Sequence, residues 1–508
     1  MTIRIACIGG GPGGLFFSTL MKRYLPDSEV VLFERNQASD AFGFGVVFSD
    51  ATLRKITEAD PVLERVLAER GRHWDTIQVW LKGERHHFNG NGMSAIHRKN
   101  LLSALQENAA EADVEMRFGT FVPSLEGLDD FDLIVAADGA NSGTRGQVGE
   151  EVLGHEVVQA SAKFIWFGTT HMFDGLTFVH RQNEHGNFAA HAYPISDELS
   201  TFIVEADAQT WLDAGLDEFD VTQPPGVSDL KSKEYIERLF ADDLQGDSVV
   251  VNNSRWGNFR TRSTDRWFNG NVAFLGDALH TAHFSVGSGT KMAMEDAITL
   301  ANSVAEHTHD LHTALSQYES ARKPDVARVQ DAARPSLSWW EHFARYHNTL
   351  DPLQFTFHFF SRSISIDKIR NRDPDFVSTV ENAWLNKHGN VPLSTPLRVA
   401  GSQVEQRFLI ARNNSLYSGE SRIELGGCDL AVLEAPSDEF DLDSSFSQLP
   451  DAGTVLVKGG TALTRRLLSE EARLGRGLTS IIQEPVDENS ALTAVLSGRA
   501  DAVASEES

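Results

Sequence analysis

Residues 3–8 form an unbroken apolar run of strand length, and Gly9-Gly10-Gly11-Pro12-Gly13-Gly14 follows as a turn into a helical pattern over 15–24. Residues 29–33 make a second apolar strand. Strand, glycine loop, helix and strand within about 30 residues are a βαβ unit, whose parallel strands need the crossover helix. Two more short apolar runs, 132–137 and 271–275, each run into an acidic residue beside a glycine and are expected to join the same sheet. Between them, 160–206 is rich in aromatic and β-branched residues at strand spacing, as in Phe164-Ile165-Trp166-Phe167 and Thr201-Phe202-Ile203-Val204. That pattern predicts a mostly antiparallel inserted domain.

From 311 to 388 the pattern turns helical, with Trp339, Trp340, Phe343 and Tyr346 crowded together, read as core packing ahead of substrate contact. Val391-Pro392-Leu393-Ser394-Thr395-Pro396 reads as a linker. The last region alternates strands, such as 454–457, with a helix over 461–474, and its acidic end, 487–508, is expected to fray at the last few residues. The expected organisation is a Rossmann-like α/β dinucleotide-binding domain (1–155 and 265–310), an inserted, mostly antiparallel β substrate domain (156–264), a helical segment (311–390) and a small C-terminal α/β appendage (398–508).

Length and charge narrow the functional classes. At roughly 150 residues per domain, 508 residues predict three or four domains. Lys and Arg number 45 against 72 Asp and Glu, a net charge of −27 that repels phosphate backbones and acidic membranes, so neither nucleic acid nor membrane is an expected partner. The N-terminal apolar run is too short for a signal peptide and ends in glycines. Cys7 and Cys428 lie far apart without metal-ligand spacing, so no metal site or disulfide framework is expected and a reducing cytoplasm fits best. The sequence leaves oligomeric state open.

Gly9, Gly11 and Gly14 have the spacing that permits a tight turn, close approach of backbone to a pyrophosphate, and close packing of helix on strand. Pro12 and Gly13 complete the loop, and Glu34, followed by Arg35, stands at the end of the second strand, where a carboxylate accepts hydrogen bonds from ribose hydroxyls. At this point the dinucleotide is NAD or FAD.

Leu275-Gly276-Asp277-Ala278-Leu279-His280 far downstream favours FAD, and with it the sequence resembles the single-component FAD-dependent aromatic hydroxylases. That family has a glycine loop, an Asp-Gly motif, here Asp138-Gly139-Ala140-Asn141-Ser142-Gly143-Thr144-Arg145, and this Gly-Asp motif, in that order. The resemblance assigns Asp138 and Gly139 to FAD and nicotinamide handling, Asp277 to the ribityl chain, Arg98 to phosphate or ribityl oxygens, and Gly43-Phe44-Gly45-Val46-Val47 to the isoalloxazine, which Gly45 and Val46 would approach closely. His280 is read as capping its turn.

After His280 the family has a proline and then Gly-Gln-Gly, whereas this chain reads His283-Phe284-Ser285-Val286-Gly287-Ser288-Gly289-Thr290-Lys291. Phe284 replaces the proline and Ser288 the glutamine. That run resembles the subgroup containing salicylyl-CoA 5-hydroxylase and the flavin half of aminobenzoyl-CoA monooxygenase/reductase. A hydroxylase of violacein synthesis has a similar His-Phe-Ser loop. The resemblance covers about residues 1–385. The tail carries only an echo of old-yellow-enzyme-type barrels in Leu496-Ser497-Gly498-Arg499-Ala500-Asp501-Ala502-Val503, with a thioredoxin-like appendage as the competing reading. Roughly 110 residues are too few for a complete barrel of about 250, so no second flavin is expected.

The resemblance implies that NADH or NADPH reduces FAD, that O2 forms a flavin C4a-hydroperoxide, and that this transfers oxygen to an activated aromatic acid, held as its CoA thioester. An indole or other natural-product scaffold is the alternative substrate, and a non-oxygenating flavoprotein scaffold or sensor the alternative class. Gly287, Gly289 and Thr290 begin a helix whose positive end would face the flavin. A base that withdraws a substrate proton suits histidine, so His283 and then His191, with Tyr193 as its orienting partner, are the catalytic candidates. Phe284 and Lys291 are substrate candidates, and Arg260 and Arg262, beside Arg266, are expected to meet the phosphates of CoA.

Overall fold

The computed structural model describes residues 2–224, 226–284, 287, 289–425 and 429–506. Ser285, Val286 and Ser288 of the divergent loop, and Cys428, lie outside the described residues. The chain divides into two compact units, Met1–Gln78 with Asn91–Glu341, and Val79–Gly90 with His342–Ser508. The expected dinucleotide and inserted regions share the first unit, and the helical stretch is divided at Glu341.

In the first unit the apolar runs form one sheet in the order Phe268–Asn269, Val272–Phe274, Leu133–Ala136, Arg4–Ile8, Glu29–Glu34, Glu115–Phe118. Apart from the short antiparallel edge, the strands are parallel, with Cys7 opposite both Leu32 and Val135. Ile5, Ala6 and Cys7 are fully buried, which is why this strand reads as continuous apolar sequence with no polar alternation. The first helix, Pro12–Tyr24, starts earlier than the expected Leu15, because Pro12 fits the first helical turn and draws Gly13 and Gly14 into the helix. Its buried face packs on the helix Gly289–Glu306.

The inserted region forms an antiparallel sheet in the order Val249–Val250, His155–Thr169, Ser200–Ala206, Gly186–Pro194, Leu176–Asn183. Gly257–Thr264 also pairs with His155–Thr169, with a register shift between Gln159 and Lys163. A smaller sheet sets Gly45–Ser49 against Met93–His97, so that Gly45 faces His97 and Val46 faces Ile96.

The second unit holds the helices Pro352–Phe360, Ile366–Arg372 and Pro374–His388. Val79–Gly90 joins it because Asn89 donates two hydrogen bonds to Asp373 and Phe88 packs on Phe360 at 4.5 Å. Residues 391–396 are packed in place: Trp384 Nε1 donates to Thr395 Oγ1, and Arg407 Nε to the Thr395 carbonyl. Beyond them, parallel strands Leu430–Ala435, Thr454–Gly459, Thr479–Gln483 and Ala502–Glu506 lie side by side in chain order, followed by Phe408–Arg412. Consecutive strand–helix steps of this kind resemble successive turns of an α/β barrel more than a thioredoxin-like sheet. The expected fraying is corrected here, since Ala502–Glu506 is an interior strand paired on both sides.

A buried polar cluster anchors this unit. Tyr346 Oη donates to Glu470 Oε2 at 2.5 Å, while His358 Nε2 and Arg499 Nε each lie 3.2 Å from Oε1. Burial and Arg499 push His358 down to about 4, so it is neutral at pH 7 and Arg499 is the counter-charge. Burial would raise Glu470, but His358, Arg499 and Tyr346 hold it at about 2. Glu470→Ala leaves Arg499 buried without a partner and should cost about 3–5 kcal/mol in urea unfolding at pH 7. Because the folded carboxyl is lowered, its contribution is complete above the unfolded pKa of about 4.3 and is lost as pH falls towards about 2.

Candidate active site

A cavity of about 1080 Å³ lies at the carboxyl ends of the parallel strands, where the strand order reverses between Arg4–Ile8 and Leu133–Ala136. Open α/β sheets bind their ligands at such a switch point. Gly11, Pro12 and Gly13 line one side beside Ala137 and Gly139. Gly9, at φ +116°, brings the two turns together, since a Cβ there would sit 2.2 Å from the Ala137 carbonyl oxygen. Gly14 packs helix on strand as expected, with its Cβ position 2.1 Å from the Gly9 oxygen. Glu34 accepts from the Gly10 N–H at 2.7 Å and the Asn36 N–H at 2.8 Å, holding the glycine loop from behind. Neither Glu34 nor the exposed Arg35 lines the cavity.

Gly45 and Val46 form the facing wall, tied down where the Arg98 N–H donates to the Phe44 carbonyl at 2.7 Å. Arg98 and Asp277 both line the cavity. Burial lowers the Arg98 guanidinium, with Asp277 opposing, and burial raises the Asp277 carboxyl, with His280, Arg98 and Arg262 opposing. Asp138 accepts from the Thr144 N–H and hydroxyl on Oδ2, while its Oδ1 is buried and has no partner among the described residues. An orphaned acceptor beside the cavity wall, a cation and a carboxylate inside it, and glycines that keep the backbone open fit a dinucleotide with a polyhydroxyl chain.

The turn carrying Asp277 is held by a residue that sequence reasoning missed. Asp296, fully buried on Gly289–Glu306, accepts from the Gly276 N–H at 3.0 Å and from Arg322 Nε at 3.0 Å, and lies 2.7 Å from His280 Nε2. His280 therefore ties its turn to a helix, where capping was expected. Burial would raise Asp296, but His280, Arg322 and the Gly276 N–H hold it below the ordinary carboxylate value.

The other end of the cavity is aromatic. Phe284 packs against Phe164 at 5.0 Å, Trp166 at 5.7 Å and His191 at 5.8 Å, so the residue that replaces the family's proline builds this wall. His191 lines the cavity and sits 4.4 Å from Trp340. Its nitrogen Nε2 is 2.7 Å from Oε2 of Glu205, and the other carboxylate oxygen is 3.5 Å from His283 Nε2. Glu205 went unnoticed in the sequence, although a single acid in the otherwise uncharged, buried strand Ser200–Ala206 was the available signal. Tyr193 lines the cavity but faces Thr201 across the strands and stacks on Trp74 at 6.0 Å; burial pushes its phenol up to about 12. The carboxylate beside His191 is thus Glu205, in place of the expected Tyr193.

Gly287, Gly289, Thr290 and Lys291 line the cavity, with Lys291 Nζ 3.4 Å from Glu205's counterpart on the helix, Glu295. His283 is buried behind that wall. Arg260 and Arg262 are not cavity residues: Arg260 is exposed and bonded to Gln159, and Arg262 is buried near Arg145 and Asp277. The basic cluster is therefore not one open surface beside the cavity.

Comparison with known proteins decides the family. Residues 130–333 match the profile described as an FAD binding domain. The chain is 52% identical to a salicyloyl-CoA 5-hydroxylase from Streptomyces over 99% of both chains. It is 32% identical to protodeoxyviolaceinate monooxygenase from Chromobacterium violaceum, over 67% of this chain and 89% of that one. The chain belongs to the FAD-dependent aromatic monooxygenases. Its fold matches 2-methyl-3-hydroxypyridine-5-carboxylic acid oxygenase with a TM-score of 0.54 at 20% identity, covering 70% of this chain and 98% of that chain. FAD is the monooxygenase's cofactor, with reduced nicotinamide and O2 as co-substrates and a small aromatic molecule as substrate. The match to the salicyloyl-CoA enzyme runs through the C-terminal unit, beyond the expected limit near residue 385. Among the described residues, no helix is long and apolar enough to cross a membrane.

Asp296→Asn should destabilise the monooxygenase by about 3–5 kcal/mol at pH 7 and release flavin during gel filtration. Since the folded carboxyl is lowered, the wild-type advantage is full above about pH 4 and shrinks as pH falls through the folded value; urea titrations across pH 7 to 3 read it.

Proposed function

We propose that this monooxygenase hydroxylates the ring of salicyloyl-CoA, or a closely similar aromatic CoA thioester, at the carbon para to the ring hydroxyl. The observation that carries the reading is the 52% identity over 99% of both chains with an enzyme named for that reaction. The aromatic end of the cavity suits a planar ring. A cytoplasmic location, where thioester and reduced nicotinamide are supplied, belongs to the same reading.

Gly9 to Gly14, Glu34, Arg98, Asp138 and Asp277 would hold FAD, with Gly45 and Val46 against its ring system. When bound and reduced, FAD supplies the electrons that activate dioxygen. The chain's own residues do the rest. Phe164, Trp166 and Phe284 exclude water and confine the ring to one plane, which orients it for transfer. His191 accepts the proton of the substrate hydroxyl at a ring nitrogen, and the phenolate so formed pushes electron density to the para carbon. His283, behind the wall, shares the same carboxylate. Lys291 and the exposed Arg328, both lining the cavity, replace Arg260 and Arg262 as the cations for the thioester's phosphates.

The deciding experiment follows NAD(P)H oxidation and product mass with salicyloyl-CoA, 2-aminobenzoyl-CoA, their free acids and an indole. Salicyloyl-CoA should speed oxidation and gain one oxygen atom. Stimulation by a free acid or an indole alone overturns the thioester reading. In the same assay His191→Gln should lower kcat by about 10²- to 10⁴-fold with flavin content unchanged. Phe284→Ala should raise hydrogen peroxide released per NAD(P)H consumed, measured by a peroxidase-coupled assay.

A further inference from the structure

Glu205 lies on the buried strand Ser200–Ala206 with 2% of its surface exposed. It faces Ala189 on one neighbouring strand and Phe164 on the other. The two titratable groups recorded against it are His191, from the adjacent strand, and His283, from the loop before Gly289–Glu306. Around them stand aromatic rings: Phe178 at 4.7 Å and Trp340 at 4.4 Å from His191, and Phe259 at 4.9 Å from His283. A carboxylate enclosed in this way is tolerated only where N–H donors meet it.

We infer that Glu205 is the positioning residue of the proton-accepting site, holding His191 with its proton on Nε2 and stabilising the imidazolium formed when the substrate hydroxyl is deprotonated. The inference rests on the reading of His191 as the base.

An ionised carboxylate only accepts hydrogen bonds, so a ring nitrogen 2.7 Å away must carry the hydrogen. A neutral imidazole has one N–H, which leaves Nδ1 with the free electron pair. His191 lines the cavity, so that pair belongs to a cavity residue. On proton transfer the substrate O–H bond breaks, an Nδ1–H bond forms, and the bonding electrons stay on the phenolate oxygen. The imidazolium then sits against an existing negative charge, which makes proton acceptance favourable. His283, at the second oxygen, gives the same carboxylate another donor and keeps it fixed when His191 changes charge.

The test uses the FAD-loaded full chain with 15N-labelled histidine and reads the His191 tautomer by long-range 1H–15N correlation, with the resonance assigned by its loss in His191→Gln. Wild type should show a protonated Nε2. Glu205→Gln should lose that state and Glu205→Asp should restore part of it. Turnover should follow, with kcat down about 10- to 100-fold in Glu205→Gln, KM within about threefold, and the rising limb of the pH profile moved, since loss of the carboxylate lowers the basicity of His191. An unchanged tautomer in Glu205→Gln overturns the inference. So does an equal loss of activity in both variants accompanied by loss of FAD, which is the result of a merely structural role. If the tautomer responds as expected while salicyloyl-CoA is not turned over, the role of Glu205 stands and the substrate reading falls.

Discussion

One buried carboxylate fixes the geometry on which the flavin end of this monooxygenase depends. Asp296 gathers the Gly276 N–H, His280 and Arg322 around a side chain with no exposed surface. Its partners come from the Gly-Asp turn and from the long helix Leu311–Thr349, while Asp296 itself belongs to Gly289–Glu306. Three elements are thereby locked at one point, and the turn that presents Asp277 to the cavity inherits that rigidity. A buried charge tolerates little displacement, because moving any partner exposes its desolvation penalty.

The cavity then divides its work by chemistry. At the glycine end, backbone and a few polar groups dominate, since side chains there would collide with the neighbouring turn. At the far end, rings dominate, and Phe284 joins the two halves of that wall by touching Phe164, Trp166 and both histidines. The only charge recorded within the aromatic box is shared between Glu205 and its imidazoles, where low polarity strengthens every interaction it makes. The C-terminal unit repeats the same device in another context, with Glu470 held by Tyr346, His358 and Arg499.

Much of this architecture was legible along the chain. The strands at 3–8, 29–33, 132–137 and 271–275 announced themselves because a strand buried on both faces is apolar at every position, and all four entered one sheet. The glycine loop was legible because close approach of two backbones excludes any side chain, as at Gly9 and Gly14. The linker and the frayed end were misread: Thr395 and the strand Ala502–Glu506 look polar or peripheral in sequence and are secured by partners remote from them.

By itself the sequence determined the cofactor class, the βαβ frame and the candidate histidines, since each depends on local spacing or on residue types confined to a short stretch. Tertiary structure alone decided which charges meet. It put Glu205 between His191 and His283, put Asp296 against His280 and Arg322, and kept Arg260 and Arg262 off the cavity wall. The physical reason is that hydrophobic periodicity is a property of neighbours in the chain, whereas the pairing of buried charges is a property of neighbours in space.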